Sequence, residues 1–181
     1  MEIEQTHIQG CFILTPTIFK DNRGTFSETF NREIFKMQTG LDINFVQDNQ
    51  SVSKKGVLRG LHFQIGPYAQ SKLVRVVEGK VLDVCVDLRK DSPTYGQHFS
   101  ITLDSKFNQQ LFIPKGFAHG FLTLEDNTIF SYKCDNYYNK DSERGIIFDD
   151  QILGINWSIL DQALILSKRD SQLPTFENYF K

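Results

Sequence analysis

The chain has 181 residues, with 20 basic and 22 acidic side chains, a formal net charge of −2, and 40% aliphatic, aromatic and cysteine residues. That length suits a single domain over residues 1–181 with a real core, and the charge balance excludes the broad basic field of a nucleic-acid binder. Three cysteines, Cys11, Cys85 and Cys134, are too few and too widely spaced for a C-x-x-C zinc site or a self-contained disulfide framework. The amino end, MEIEQTHIQG, has no basic start leading into an apolar run. No apolar stretch approaches the roughly 20 residues that cross a bilayer. The expectation is a cytoplasmic protein with free thiols and no membrane partner.

The elements follow in chain order. Asp21-Asn22-Arg23-Gly24 reads as a turn. A short helix fits Arg32–Gln38, with Asn31 as its N-cap and Gly40 just past its end. Strands are expected at Ile43–Gln47, Val57–Gln64 and Lys72–Val77, and Glu78-Gly79-Lys80 reads as a tight hairpin turn into Val81–Leu88. In that last strand Leu82, Val84, Val86 and Leu88 share one face, while Asp83, Cys85 and Asp87 alternate on the other. Further strands fit Phe99–Leu103, Gln110–Ile113, Ala118–Leu124 and Thr128–Asp135, separated by turn signals such as Ser92-Pro93 and Pro114-Lys115-Gly116. A second short helix is expected around Ser158–Ala163. Many short strands at this spacing point to an antiparallel sandwich or barrel, not βαβ units.

Only four histidines exist: His7, His62, His98 and His119. Alternation along Val57–Gln64 groups Gly60, His62 and Gln64 on one face. Gln47, Asn49, Lys72 and Tyr132 add polar groups on neighbouring strands. A barrel lumen lined this way is costly unless it is solvated or functional.

Gly56 and His62 are spaced G-x5-H, and Pro114–His119 reads P-x-G-x-x-H. This spacing resembles the two histidine motifs of the cupin jelly roll. Metal-binding cupins carry H-x-H and then a glutamate. Here those positions hold Gln64, Tyr68 and Ala69, so two histidines without an anionic ligand make a poor divalent-metal site.

A closer resemblance runs from about Asp21 to Pro174. FVQDNQS (Phe45–Ser51), VLRGLHFQ (Val57–Gln64), VLDVCVDLR (Val81–Arg89), IPKGFAHGF (Ile113–Phe121), ERGI (Glu143–Ile146) and LSKRD (Leu166–Asp170) resemble the dTDP-4-dehydrorhamnose 3,5-epimerase family. The resemblance implies an all-β, cupin-type antiparallel sandwich or jelly-roll barrel with a few short helices. It also implies a cofactor-independent, metal-free isomerase acting on a dTDP-sugar. By that similarity His62 is the base, oriented by Asp170, with Tyr132 the acid on the opposite face and Lys72 near the ketone. Arg59 and Arg23 hold the diphosphate, Gln47, Asn49 and His119 surround the sugar, and Glu28 and Tyr138 recognise the thymidine. Arg23 and Glu28 serve the partner subunit's site, which implies a homodimer.

The chemistry agrees with the residue types. Epimerisation beside a ketone passes through an enolate, so it needs a base, an acid opposite it and a positive group at the oxygen. Each residue also has an ordinary explanation. Asp170 fits a surface tail, Arg23 a solvated turn, and Lys72 with Arg75 an exposed edge. The family often has tryptophan where this chain has Phe112, and proline at the positions of Lys140 and Ser158. Two other readings stand beside the first: an epimerase acting at one carbon only, and a non-catalytic cupin binding module.

Overall fold

The computed structural model describes residues 1–157 and 163–179. Four short strands open the chain: β1 (Glu2–Gln5), β2 (Phe12–Thr15), β3 (Phe19–Asp21) and β4 (Gly24–Phe26). After helix α1 (Arg32–Thr39) come β5 (Gln47–Ser53), β6 (Leu58–Gln64), β7 (Lys72–Glu78), β8 (Lys80–Asp87) and β9 (His98–Asp104). Strands β10 (Gln110–Ile113), β11 (Phe117–Thr123), β12 (Thr128–Cys134) and β13 (Glu143–Gly145) follow, and a one-turn helix, α2 (Phe176–Tyr179), lies near the carboxyl end.

Two antiparallel sheets result. One has the order β1-β2-β10-β7-β12-β5 and the other β13-β6-β11-β8-β9, while β3 and β4 form a separate hairpin. This is the all-β antiparallel architecture expected from the strand spacing. Between the sheets, Val74 and Val76 (β7), Leu111 and Ile113 (β10) and Phe130 (β12) meet Val81 and Cys85 (β8) and Phe117 and Phe121 (β11). Phe121 and Phe130 stack across the gap with ring centroids 4.0 Å apart. Each sheet also has a covered outer face. Leu82, Val84 and Val86 of β8 pack outward against Leu153, Trp157 and Phe176. Phe12 and Phe112 pack outward against Phe35 of α1. The even-numbered stripe of β8 is therefore buried outward, and its odd-numbered face, with Asp83 and Asp87, turns into the sandwich.

Helix α1 matches its expectation closely. Asn31 Oδ1 accepts from the N–H groups of Glu33 and Ile34 at 3.1 and 3.2 Å, and the Gly40 N–H donates to the Lys36 carbonyl at 2.9 Å. Three strand readings need correction. Glu78-Gly79-Lys80 is tight but joins no hairpin, because β7 and β8 belong to different sheets. Gly79 carries the chain between layers at φ +84°, and a Cβ there would sit 2.5 Å from Thr128 Oγ1. The strand expected at Ile43–Gln47 begins only at Gln47, since Ile43 and Phe45 pack beneath the first sheet beside Phe35 instead of pairing. Lys72 and Arg75 lie on an interior strand, with β7 bonded to β10 and β12 on its two sides. The helix expected around Ser158–Ala163 falls mainly on residues 158–162, outside the described residues. Among the described residues no helix is long and apolar enough to cross a membrane.

Candidate active site

The site begins with an irregularity in β6. His62 pairs with His119 and Arg59 with Phe121, so Gly60 and Leu61 together oppose Gly120 alone. Such a bulge reverses the side-chain alternation beyond it. Leu58, Leu61 and Phe63 all join the outer core. Arg59 and His62 line one cleft, and Gln64 lines the lobe beside it with His62. Strict alternation groups Gly60 with His62 and turns Arg59 away; the bulge corrects both. Glycine is required here, because Gly60 has φ +130° and a Cβ on it would lie 2.5 Å from Gly120 Cα.

His62 Nε2 lies 2.7 Å from Asp170 Oδ1, with the imidazole 28% exposed and the carboxylate 6%. Asp170 opens a single 3-10 turn, Asp170–Gln172, and its N–H donates to Ser167 Oγ at 3.0 Å. Burial alone raises a carboxyl pKa, but hydrogen bonds from His62, the Gly60 N–H and Ser167 outweigh it and hold Asp170 below its ordinary value. The carboxylate is therefore ionised near neutrality and aimed at one ring nitrogen.

The facing wall comes from the other sheet. Tyr132 on β12 pairs with Asn49 on β5, and Lys72 Nζ lies 5.8 Å from the Tyr132 ring centroid. Burial pushes the Lys72 pKa down, opposed by the negative influence of Cys134, Asp83 and Glu143. Burial pushes the Tyr132 pKa up, with Arg59 acting against it. Two adjoining lobes of the cleft, about 440 and 360 Å³, share Asn49, His62, Lys72 and Tyr132. Around the second lobe, Gln47 Nε2 donates to Asn49 Oδ1 at 3.1 Å, and Gln47 Oε1 accepts from the Tyr138 N–H at 2.9 Å.

The second histidine is more deeply set. His119 Nε2 lies 2.9 Å from Asp83 Oδ2, with the side chains 6% and 0% exposed. Burial lowers the His119 pKa, partly offset by Asp83. Gln64, at the second cupin-ligand position, is engaged elsewhere. Its amide donates to the carbonyls of Tyr68 and Tyr137, and its oxygen accepts from the Asn139 N–H. Among the described residues no group of three or more His, Cys, Asp or Glu side chains is placed to hold a metal.

One chain thus brings together His62, Asp170, Lys72, Tyr132, Arg59, Asn49 and His119 around the first lobe, with Gln47 and Tyr138 at the second. Arg23 and Glu28 are not brought in. Arg23 sits at the tip of the β3–β4 hairpin, 86% exposed and paired with Asp21 at 2.6 Å, and Glu28 lines a separate hollow with Met1, Thr17 and Phe19. Glu143 and Arg169 line the cleft and the buried Asp83 backs His119, yet the sequence alone gives none of them a role. Glu143 Oε2 accepts from Tyr138 Oη at 2.8 Å and from Arg169 Nη1 at 2.6 Å. The polar face of β8 was the signal for Asp83; Glu143 and Arg169 lie within the quoted ERGI and LSKRD runs.

The model of the dTDP-4-dehydrorhamnose 3,5-epimerase family matches residues 5–178. The chain belongs to that family. It is 48% identical over 170 residues to the dTDP-4-dehydrorhamnose 3,5-epimerase of Shigella flexneri, covering 94% of this chain and 93% of the relative. The crystal structure of the epimerase from Elizabethkingia anophelis superposes with a TM-score of 0.95 at 47% identity, covering 98% and 97% of the two chains. A 3,5-epimerase from Legionella pneumophila, solved in complex with dTDP-4-keto-L-rhamnose, gives a TM-score of 0.93 at 43% identity over 97% and 93%. The cupin-like sandwich and the isomerase class implied by the motifs are therefore those of the family.

Proposed function

We propose that this cleft epimerises a dTDP-4-keto-6-deoxyhexose at carbons 3 and 5. The observation that carries the reading is a buried, ionised carboxylate on one nitrogen of His62, facing Lys72 and Tyr132 from the opposite sheet. His62 takes the proton beside the ketone, and Asp170 sets its tautomer and stabilises the imidazolium that forms. Lys72 supports the charge that develops on the ketone oxygen. Tyr132 returns a proton from the other face. Each carbon loses one proton and gains one, so the substrate's own carbonyl suffices and no redox cofactor enters the balance.

Arg59, exposed at the cleft mouth, suits a diphosphate through its planar fork. In this reading Gln47, Asn49 and His119 surround the sugar, and Tyr138 faces the thymine. Arg23 and Glu28 lie outside their own chain's cleft, which supports the reading that they serve the site of a second copy and that the working form is a homodimer. Exposed Phe19 and Phe26 on the same hairpin, 59% and 70% accessible, suit such a contact. A reducing cytoplasm suits Cys11 and Cys85, whose sulfurs lie 3.7 Å apart as free thiols.

The test is turnover of dTDP-4-keto-6-deoxyglucose in deuterated water, read by NMR. Deuterium at both carbon 3 and carbon 5 is the expected result. Label at one carbon only makes the protein a single-position epimerase. Tight binding without label makes it a binding module.

A further inference from the structure

Two of the three cysteines are buried against each other, and the proposed chemistry uses neither. Cys11 stands immediately before β2 of the first sheet, and Cys85 lies on β8 of the second. Both are 0% exposed and belong to the apolar cluster between the sheets. Their sulfurs touch at 3.7 Å, one thiol donating to the other, although the residues are 74 positions apart. A disulfide holds its sulfurs about 2.05 Å apart, so the remaining gap is of the size that side-chain rotation closes. Cys134 is engaged elsewhere, its sulfur accepting from Asn49 Nδ2 at 3.7 Å.

We propose that Cys11 and Cys85 are a covalent modification site: under hydrogen peroxide they close to a disulfide that bolts the two sheets together. The Cys11 thiolate attacks one peroxide oxygen and the O–O bond breaks. A sulfenic acid is left on Cys11, and the released hydroxide takes up the thiol's proton as water. The Cys85 sulfur then attacks the Cys11 sulfur, the S–O bond breaks, and the oxygen leaves with the second thiol's proton as another water. Two thiols give up two electrons, and one peroxide becomes two waters. The fold sets the order. The hydrogen bond with Cys11 and burial push the Cys85 thiol well above its ordinary pKa, and β8 is enclosed by β11 and β9. Cys11 belongs to the border of the first sheet, where β2 is flanked on its outer side by β1 alone. Local opening of that border admits the oxidant to Cys11 first. In a reducing setting both residues stay thiols. Once formed, the bond spans 74 positions and removes freedom from the unfolded chain, so it stabilises the fold. It belongs to the scaffold and is independent of the epimerase chemistry.

The experiment incubates the wild type with hydrogen peroxide and reads its melting temperature. The protein is then denatured in an alkylating agent and digested with trypsin for mass spectrometry. The expected product joins the peptide Met1–Lys20 to Val81–Arg89, two hydrogens lighter than their sum, while Cys134 is recovered alkylated. The melting temperature should rise by about 5 °C or more and return to its starting value with dithiothreitol. Cys11→Ala and Cys85→Ala should show neither the joined peptide nor the rise. Recovery of Cys11 and Cys85 unjoined, or a bond from either to Cys134, overturns the proposal. So does a rise that survives in Cys85→Ala. A joined peptide with a lowered melting temperature overturns it as well, because the bond would then strain the sheets instead of bracing them.

Discussion

The cleft holds two imidazole–carboxylate pairs of nearly equal length, His62 with Asp170 at 2.7 Å and His119 with Asp83 at 2.9 Å. Their surroundings differ. His62 is partly open to the cleft, and its carboxylate comes from a tail turn and is also bonded by the Gly60 N–H of β6 and by Ser167. His119 and Asp83 both come from interior strands of one sheet, with the His119 ring stacked on Phe130 at 6.1 Å. Asp83 Oδ1 has no partner among the described residues. A pair that cycles its charge needs an ionised carboxylate with spare donors and access to the reacting atom, and the first pair has both. The second is far less open, only His119 reaching the cleft wall, with burial holding His119 below its ordinary pKa, so it suits a fixed, neutral contact. The same bond thus serves proton transfer in one setting and shape in the other.

Exchanging the two carboxylates for amides should break that symmetry most visibly. Asp170→Asn is expected to lower kcat about a hundredfold or more, because the imidazolium loses its counter-charge and the ring its fixed tautomer. Its melting temperature should move little. Asp83→Asn should do the reverse, destabilising the fold by about 1–3 kcal/mol through the lost charged hydrogen bond, with the smaller loss in kcat. Steady-state kinetics and urea melts on both variants check this. Equal effects on both quantities contradict the comparison.

A third buried carboxylate extends it to a site without histidine. Burial works to raise the pKa of Asp87, but Arg89, Ser92 and Thr94 more than compensate and hold it at about 2. Because the folded pKa lies below that of the unfolded chain, this contribution is complete above about pH 4. It is lost as pH falls toward 2 and amounts to about 2 kcal/mol. Urea melts at about pH 5 and pH 2.5 should show that loss in the wild type, and a shallower one in Asp87→Asn.

What the sequence made legible follows from where the physics is local. The alternation of Val81–Leu88, the strand Gln110–Ile113 and the caps of α1 are all encoded within a few residues, and each matches the structure. Strands β1, β3 and β4 went unread because they are largely exposed and carry no apolar period. The Gly79 crossing was misread because one glycine serves a hairpin and an inter-sheet step equally well, and only distant pairing decides between them. The β6 bulge is likewise set by its neighbour β11. His62 was visible as a polar residue among apolar ones. Asp170, 108 positions away, is marked only by the LSKRD resemblance, and Asp83 stands in the sequence as part of a polar face without a partner.

The central claim is that His62, held by Asp170, removes the substrate proton. The most direct measurement is deuterium incorporation from solvent into dTDP-4-keto-6-deoxyglucose by His62→Ala, followed by NMR, with dTDP affinity measured on the same sample. The account predicts exchange at both carbons slowed by about a thousandfold, with dTDP binding within about threefold of wild type. Exchange at the wild-type rate with binding intact contradicts it.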